Sequence, residues 1–123
     1  MGDKRPDIWI GHTSLRTNDL NGSDEFLSKI GLRRVFKNDA ITIFELRGGT
    51  HVLMILDEAA KGGDADFDFM VEDIDATYGS FTSLGLDVSE IDRGDIHDSF
   101  TVVEPGGNRI TMNSTHVKDH SIV

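Results

Sequence analysis

The sequence predicts an α+β domain built from one βαβββ unit used twice, the two units forming a half-closed mixed barrel with the helices outside. Three observations carry the prediction. Runs of alternating apolar and polar residues, the mark of half-buried strands, recur along the whole chain of 123 residues. Only two stretches show helical spacing instead. Most tellingly, the chain resembles itself. Displaced by 54 residues, Asp19-Leu20 falls on Asp73-Ile74 and Ile30-Gly31-Leu32 falls on Leu84-Gly85-Leu86.

The elements follow in order. Alternation predicts strands over 8–17, 32–38, 40–47, 50–57, 66–72, 99–104 and 109–114, with a fainter one over 86–91. The first helix lies in "NDLNGSDEFLSKIG", where Leu20, Phe26 or Leu27, and Ile30 share a face and Gly31 terminates. The second lies in "EDIDATYGSFTSLG", with Asp73 as N-cap, Ile74, Tyr78, Phe81 and Leu84 on one face, and Gly85 as stop. The turn Gly48-Gly49 maps onto Gly106-Gly107 with a displacement of 58, so the second half has one longer loop. A single domain over 8–116 results: module one (8–57), a polar joint (57–65), module two (66–116), then the tail 117–123.

Alternation also assigns faces. The concave side receives His12, Ser14 and Arg16 from the first strand, and His51, Leu53 and Ile55 from the fourth. It receives Asp66, Asp68 and Met70 from the first strand of module two, and Arg109, Thr111 and Asn113 from the last. The expected pocket lining is therefore His12, Ser14, His51, Leu53, Asp66, Asp68, Met70, Arg109 and Thr111.

Composition narrows the chemistry. With no cysteine there is no disulfide, thiolate metal site or cysteine nucleophile, so a metal would need histidine or oxygen ligands. Twenty-two acidic against twelve basic residues give a net charge of −10 with no basic cluster, which disfavours nucleic acid and anionic lipid. The polar start of the chain lacks the apolar core of a signal peptide and no apolar run spans a bilayer, so the expectation is a cytoplasmic, soluble protein. No nucleophile elbow, phosphate loop or dinucleotide fingerprint is present.

On "HTSLRTNDLNGSDEFLSKIGL", "GGTHVLMILD", "FDFMVEDIDATYGSFTSLGL" and "FTVVEPGGNRITM", in that order, the chain resembles the vicinal oxygen chelate superfamily of glyoxalases, bleomycin-resistance proteins and extradiol dioxygenases. The resemblance covers about 8–116 and implies paired βαβββ modules around a small-molecule cleft, with homodimers that sometimes complete the cavity between subunits. It also implies metal-ligand slots at His12, Leu53, Asp66 and Thr111. Leu53 cannot coordinate, and threonine is a poor substitute for the family's glutamate, so the expectation is a metal-free binding protein for a small organic ligand.

The alternative is an enzyme, a lyase, isomerase or dioxygenase, with iron, manganese or zinc on a rearranged set. His51 lies two residues before the Leu53 slot and shares its face, which gives His12, His51 and Asp66. The two-residue offset moves a side chain by about 6.5–7 Å along a strand. Without a metal, His12 lines the pocket or bonds a neighbour such as Asp66. Asp66 and Asp68 either form a solvated rim or meet a cationic ligand or act as general base, and Glu45 is a further inward carboxylate. Trp9, the only tryptophan, has outward parity and suits packing or a dimer contact. His97 and His116 could approach one another, and His120 lies in the tail. A third possibility is an interaction module whose cavity is filled by side chains.

Overall fold

In the computed structural model, residues 5–115 are described, so His116, His120 and the tail lie outside the described residues. The elements are β1 (His12–Thr17), α1 (Leu20–Lys29), β2 (Arg33–Lys37), β3 (Ile41–Glu45), a 3₁₀ turn (Arg47–Gly49) and β4 (His51–Leu56) in module one. Module two holds β5 (Gly63–Val71), α2 (Ile74–Ser83), β6 (Asp87–Val88), β7 (Asp92–Arg93), β8 (Asp98–Val103) and β9 (Asn108–Ser114). The expected order is thus present twice. The faint strand over 86–91 becomes two short pieces, β6 and β7, which pair with opposite ends of β8. The first strand starts later than expected, at His12, although Gly11 still accepts a hydrogen bond from the His51 amide.

The helices start and stop on local signals. The carboxylates of Asp19 and Asp73 accept hydrogen bonds from the amides of Gly22 and Ala76, satisfying N–H groups that the first turn leaves unpaired. Both helices end on a left-handed glycine, Gly31 at φ 104° and Gly85 at φ 73°, a conformation costly for any residue with a Cβ. The next amide in each case, Leu32 or Leu86, then reaches back to Leu27 or Phe81.

Module one is a sheet in the order β1-β4-β3-β2, and module two one in the order β5-β9-β8-β6 with β7 beside β8. In each, the first strand runs parallel to the last, and helix and sheet enclose the buried residues. Seven buried apolar side chains come from each half: Leu15, Leu20, Phe26, Leu27, Phe44, Val52 and Met54, then Phe69, Ile74, Phe81, Phe100, Val102, Ile110 and Met112. Leu84, expected on the buried face of α2, is 44% exposed, because it is the C-cap, one residue past the end of the helix. The strands β1 and β5 are each hydrogen-bonded on one side only, so both sheets present a free edge. No helix among the described residues is long and apolar enough to cross a membrane.

The modules meet at one end through a buried carboxylate. Glu104, 2% exposed at the end of β8, has Oε2 2.5 Å from Ser23 Oγ of α1. Its Oε1 accepts from the amide of Asn108 at 3.2 Å and from Asn108 Nδ2 at 2.8 Å. Asn108 Nδ2 also donates to the Arg16 carbonyl of β1, and Ser23 Oγ lies 2.8 Å from Thr17 Oγ1. The turn 104–108 is in this way the clasp between halves.

A second buried carboxylate ties α1 to its own sheet. Asp24, 3% exposed, receives Arg34 through both guanidinium arms, and Thr42 Oγ1 at 2.6 Å, with Lys37 3.5 Å away. Burial pushes its carboxyl up, but the hydrogen bonds from Arg34 and Thr42 and the charges of Arg34 and Lys37 outweigh burial and hold it below its ordinary value. A carboxyl lowered in the folded state contributes stability that is complete above its unfolded value of about 4 and is lost as pH falls through the lower folded value. Urea unfolding at pH 6 and pH 3 is therefore expected to show a steeper acid loss in the native protein than in Asp24→Asn; equal slopes would refute this.

Candidate functional site

The two sheets diverge from the clasp and leave a cleft of about 1390 Å³ between them. Module one contributes Ile10, His12, Thr13, the end of α1 around Ile30, and the β3–β4 turn from Glu45 to Thr50. Module two contributes β5 from Asp66 onward, with Ala76, Thr77, Ser80 and Phe81 of α2. Because β5 is an edge strand, both of its faces reach the cleft: Asp66, Asp68 and Met70 on one side, Phe67 and Phe69 on the other.

Of the nine expected lining residues, His12, Asp66, Asp68 and Met70 lie in the cleft wall. His51, Ser14 and Leu53 share the sheet face of His12: the β1–β4 register sets His12 against His51 and Ser14 against Leu53. Thr111 lies opposite Asp68, and Arg109 opposite Asp64, whose carboxylate it pairs with. The β5–β9 ladder slips between Asp64 and Asp68, spending four residues on β5 against two on β9. A slip of two preserves the face but changes the level, so Asp68 rather than Asp66 stands across from Thr111.

Around His12 the register builds a row over three adjacent strands. The rings of His12 and His51 stack with centroids 5.7 Å apart, and His51 Nε2 lies 3.7 Å from Oε2 of Glu45, which also pairs with Arg33. Yet among the described residues no three of His, Asp or Glu come close enough to hold a metal ion. The donor set expected for the family's metal is likewise incomplete, since Leu53 has no donor atom. The residues present do not fit the group.

Sequence reasoning did not single out Phe67, Phe69 and Phe81 as cleft residues, because alternation turns Phe67 and Phe69 toward the second helix and Phe81 lies on that helix's own apolar face. That placement is right: Phe69 and Phe81 are core residues, 6% and 4% exposed, and meet the cleft only along the free edge of β5. It also passed over Arg47 and Glu72, paired at 2.9 Å across the cleft mouth. Both are largely exposed, at 80% and 66%, so the pair adds under about 1 kcal/mol. Arg47→Ala is expected to leave the melting temperature within a few degrees of the parent by calorimetry. Trp9 is 69% exposed, in keeping with its outward parity, and His97 Nδ1 lies 2.7 Å from the Ser114 carbonyl oxygen.

The comparisons agree with this architecture. A solved lactoylglutathione lyase from Agrobacterium tumefaciens superposes with a TM-score of 0.76 at 21% identity, over 89% of this chain and 96% of that one. The bleomycin resistance determinant encoded on transposon Tn5 gives 0.70 at 15% identity, over 88% and 98%. Oxidase ChaP-H2 gives 0.72 at 20%, over 89% and 94%. At such identities these likenesses establish the fold alone. No curated protein matches the chain. The sequence profile of one superfamily covers residues 9–112, and with both modules and their order in place the chain belongs to the Glyoxalase/Bleomycin resistance protein/Dioxygenase superfamily.

Proposed function

We propose that the protein binds a small organic molecule in the cleft between its modules, without a metal, and does so as a homodimer. The observation that carries the reading is the cleft itself: about 1390 Å³, open, with apolar side chains flanked by carboxylates. A pure interaction module would be expected to fill that space with side chains. Support for a dimer comes from the sheet face of module one that carries His12 and His51, where Phe36 is 48% exposed and Ile41, Ile43, Leu53 and Ile55 are only half-buried. The Tn5 relative is described as a resistance determinant, which agrees with a binding role; the lyase and the oxidase are described as enzymes.

A thermal-shift screen of small organic compounds, with and without EDTA, tests the proposal. The expected result is a compound that raises the melting temperature equally in both conditions and retains its effect in His12→Ala. The competing reading, a divalent-metal enzyme, draws on the stacked pair His12 and His51 with Asp66 as third ligand. Stoichiometric iron, manganese or zinc in protein purified without chelator, and lost in His12→Ala, would favour that enzyme instead. Light scattering on the purified chain checks the dimer.

A further inference from the structure

The internal repeat gives every residue of the clasp a counterpart at the other end of the molecule. Glu104 and Asn108 of module two reach across to module one, where Thr17 and Ser23 complete the network, and all four are buried. Displaced by 58 and 54 residues, their counterparts are Leu46 and Thr50 in module one and Val71 and Thr77 in module two. These four are only half-buried, and all of them line the cleft. The glycines show the same contrast. A Cβ on Gly106 would meet Thr17 Oγ1 at 2.2 Å, whereas one on its counterpart Gly48 would find nothing within 4 Å. The cleft thus occupies the place of a second clasp, held open.

The chemistry of the two ends explains why one is shut and the other is not. The first is fixed by directed hydrogen bonds to the Glu104 carboxylate. At the second, leucine stands for glutamate and valine for threonine, and both hydroxyls are committed elsewhere. Thr50 Oγ1 donates to the Ile10 carbonyl at 2.7 Å, and Thr77 Oγ1 to the Asp73 carbonyl at 2.9 Å. Contact at that end is left to apolar groups, whose attraction has no direction and locks nothing in place. The link between modules is also tied at the first end: Asn18 Nδ2 donates to the Ala60 carbonyl, and the Gly63 amide to the Gly107 carbonyl. One end is pinned, and the other is free to swing, the arrangement of a hinge. Ala76, standing on α2 where α1 has Gly22, keeps the approach clear.

We propose that the two modules form a jaw hinged at the Glu104 clasp, which closes by seating Leu46 against Val71 and the methyl group of Thr77. Closing shuts the entrance between the 46–50 turn and α2, so the jaw gates the cleft. The motion needs no guest, and it stands or falls apart from the small-molecule reading.

Pulsed electron spin resonance on the full chain tests the jaw, with nitroxides on Arg47→Cys and Gly79→Cys, the only thiols in a chain that has no cysteine of its own. Labelled protein is diluted into an excess of unlabelled chain, so that only distances within one molecule are read. Two distances are expected, the shorter belonging to the closed jaw. Ala76→Trp, at an exposed position of α2 in the cleft wall, wedges the seat and is expected to cut the shorter population at least about tenfold, with the circular dichroism spectrum unchanged. Leu46→Glu with Thr50→Asn, Val71→Thr and Thr77→Ser copies the first clasp onto the second and is expected to leave the shorter distance alone. A single distance in the doubly labelled parent overturns the hinge. Two distances that keep their ratio in Ala76→Trp, or in a folded fourfold variant, overturn the seat at Leu46.

Discussion

Phe100→Ala is expected to lower the unfolding free energy by about 3–5 kcal/mol, measured by urea denaturation at neutral pH. Phe100 is 2% exposed in β8, with the rings of Tyr78 and Phe81 packed edge-on at 5.1 and 5.7 Å. Truncation removes its buried surface and leaves a cavity that two α2 residues cannot close without drawing the helix off the sheet. Domains of this size are stable by only about 5–15 kcal/mol, so a substantial fraction of the variant would unfold under mild denaturant. Part of the loss is specific to the edge-on geometry, worth about 0.5–1.5 kcal/mol per aromatic pair, and a double-mutant cycle with Tyr78→Leu isolates it. A loss under about 1 kcal/mol for Phe100→Ala would show that α2 is not anchored there.

The second large effect is expected at the clasp. Glu104→Ala leaves the buried Ser23 hydroxyl and the Asn108 side chain short of an acceptor, and each stranded donor costs about 1–3 kcal/mol. Glu104→Gln keeps one acceptor oxygen and the volume, so it is expected to recover part of the loss. Gly106→Ala should also be harmful, since its Cβ would meet Thr17 Oγ1 at 2.2 Å and Glu104 Oε1 at 2.6 Å. These substitutions strike the contact between modules rather than either core. Amide hydrogen exchange is accordingly expected to rise around Arg16 and Thr17 of β1 as well as in β8 and β9. Protection lost in module two alone would contradict the role of Glu104 as the tie between halves.

What was legible in the sequence was whatever rests on local periodicity. Strand alternation, the Asp73 cap and the Gly31 and Gly85 stops are each decided within a few residues, and the repeat multiplies that information by two. Facing is equally local, which is why the side assigned to His12, His51 and Asp68 agrees with the register that the strands adopt. Level is not local. The slip in the β5–β9 ladder shifts Asp66 along its strand without turning it over, and nothing in the alternation of "DADFDFMV" announces it. The same holds for Glu104, which reads as a turn residue beside Pro105 and becomes buried only because another module's Ser23 arrives from 81 residues away. The divergence of the two sheets, which opens the cleft along the free edge of β5, begins at that tie.

The open side of β5 has a consequence for the protein's behaviour in solution. A strand with unpaired backbone groups is a template on which a neighbouring chain can add, and charged side chains along it are the usual guard. Here the guard is Asp64, Asp66 and Asp68, three like charges at alternate positions on a strand whose other face is phenylalanine. They belong to an overall charge of −10 that holds molecules apart and that falls to zero near the isoelectric point of about 4.7. The chain should therefore turn sticky in mild acid, clouding by strand-to-strand recruitment while its secondary structure is still intact.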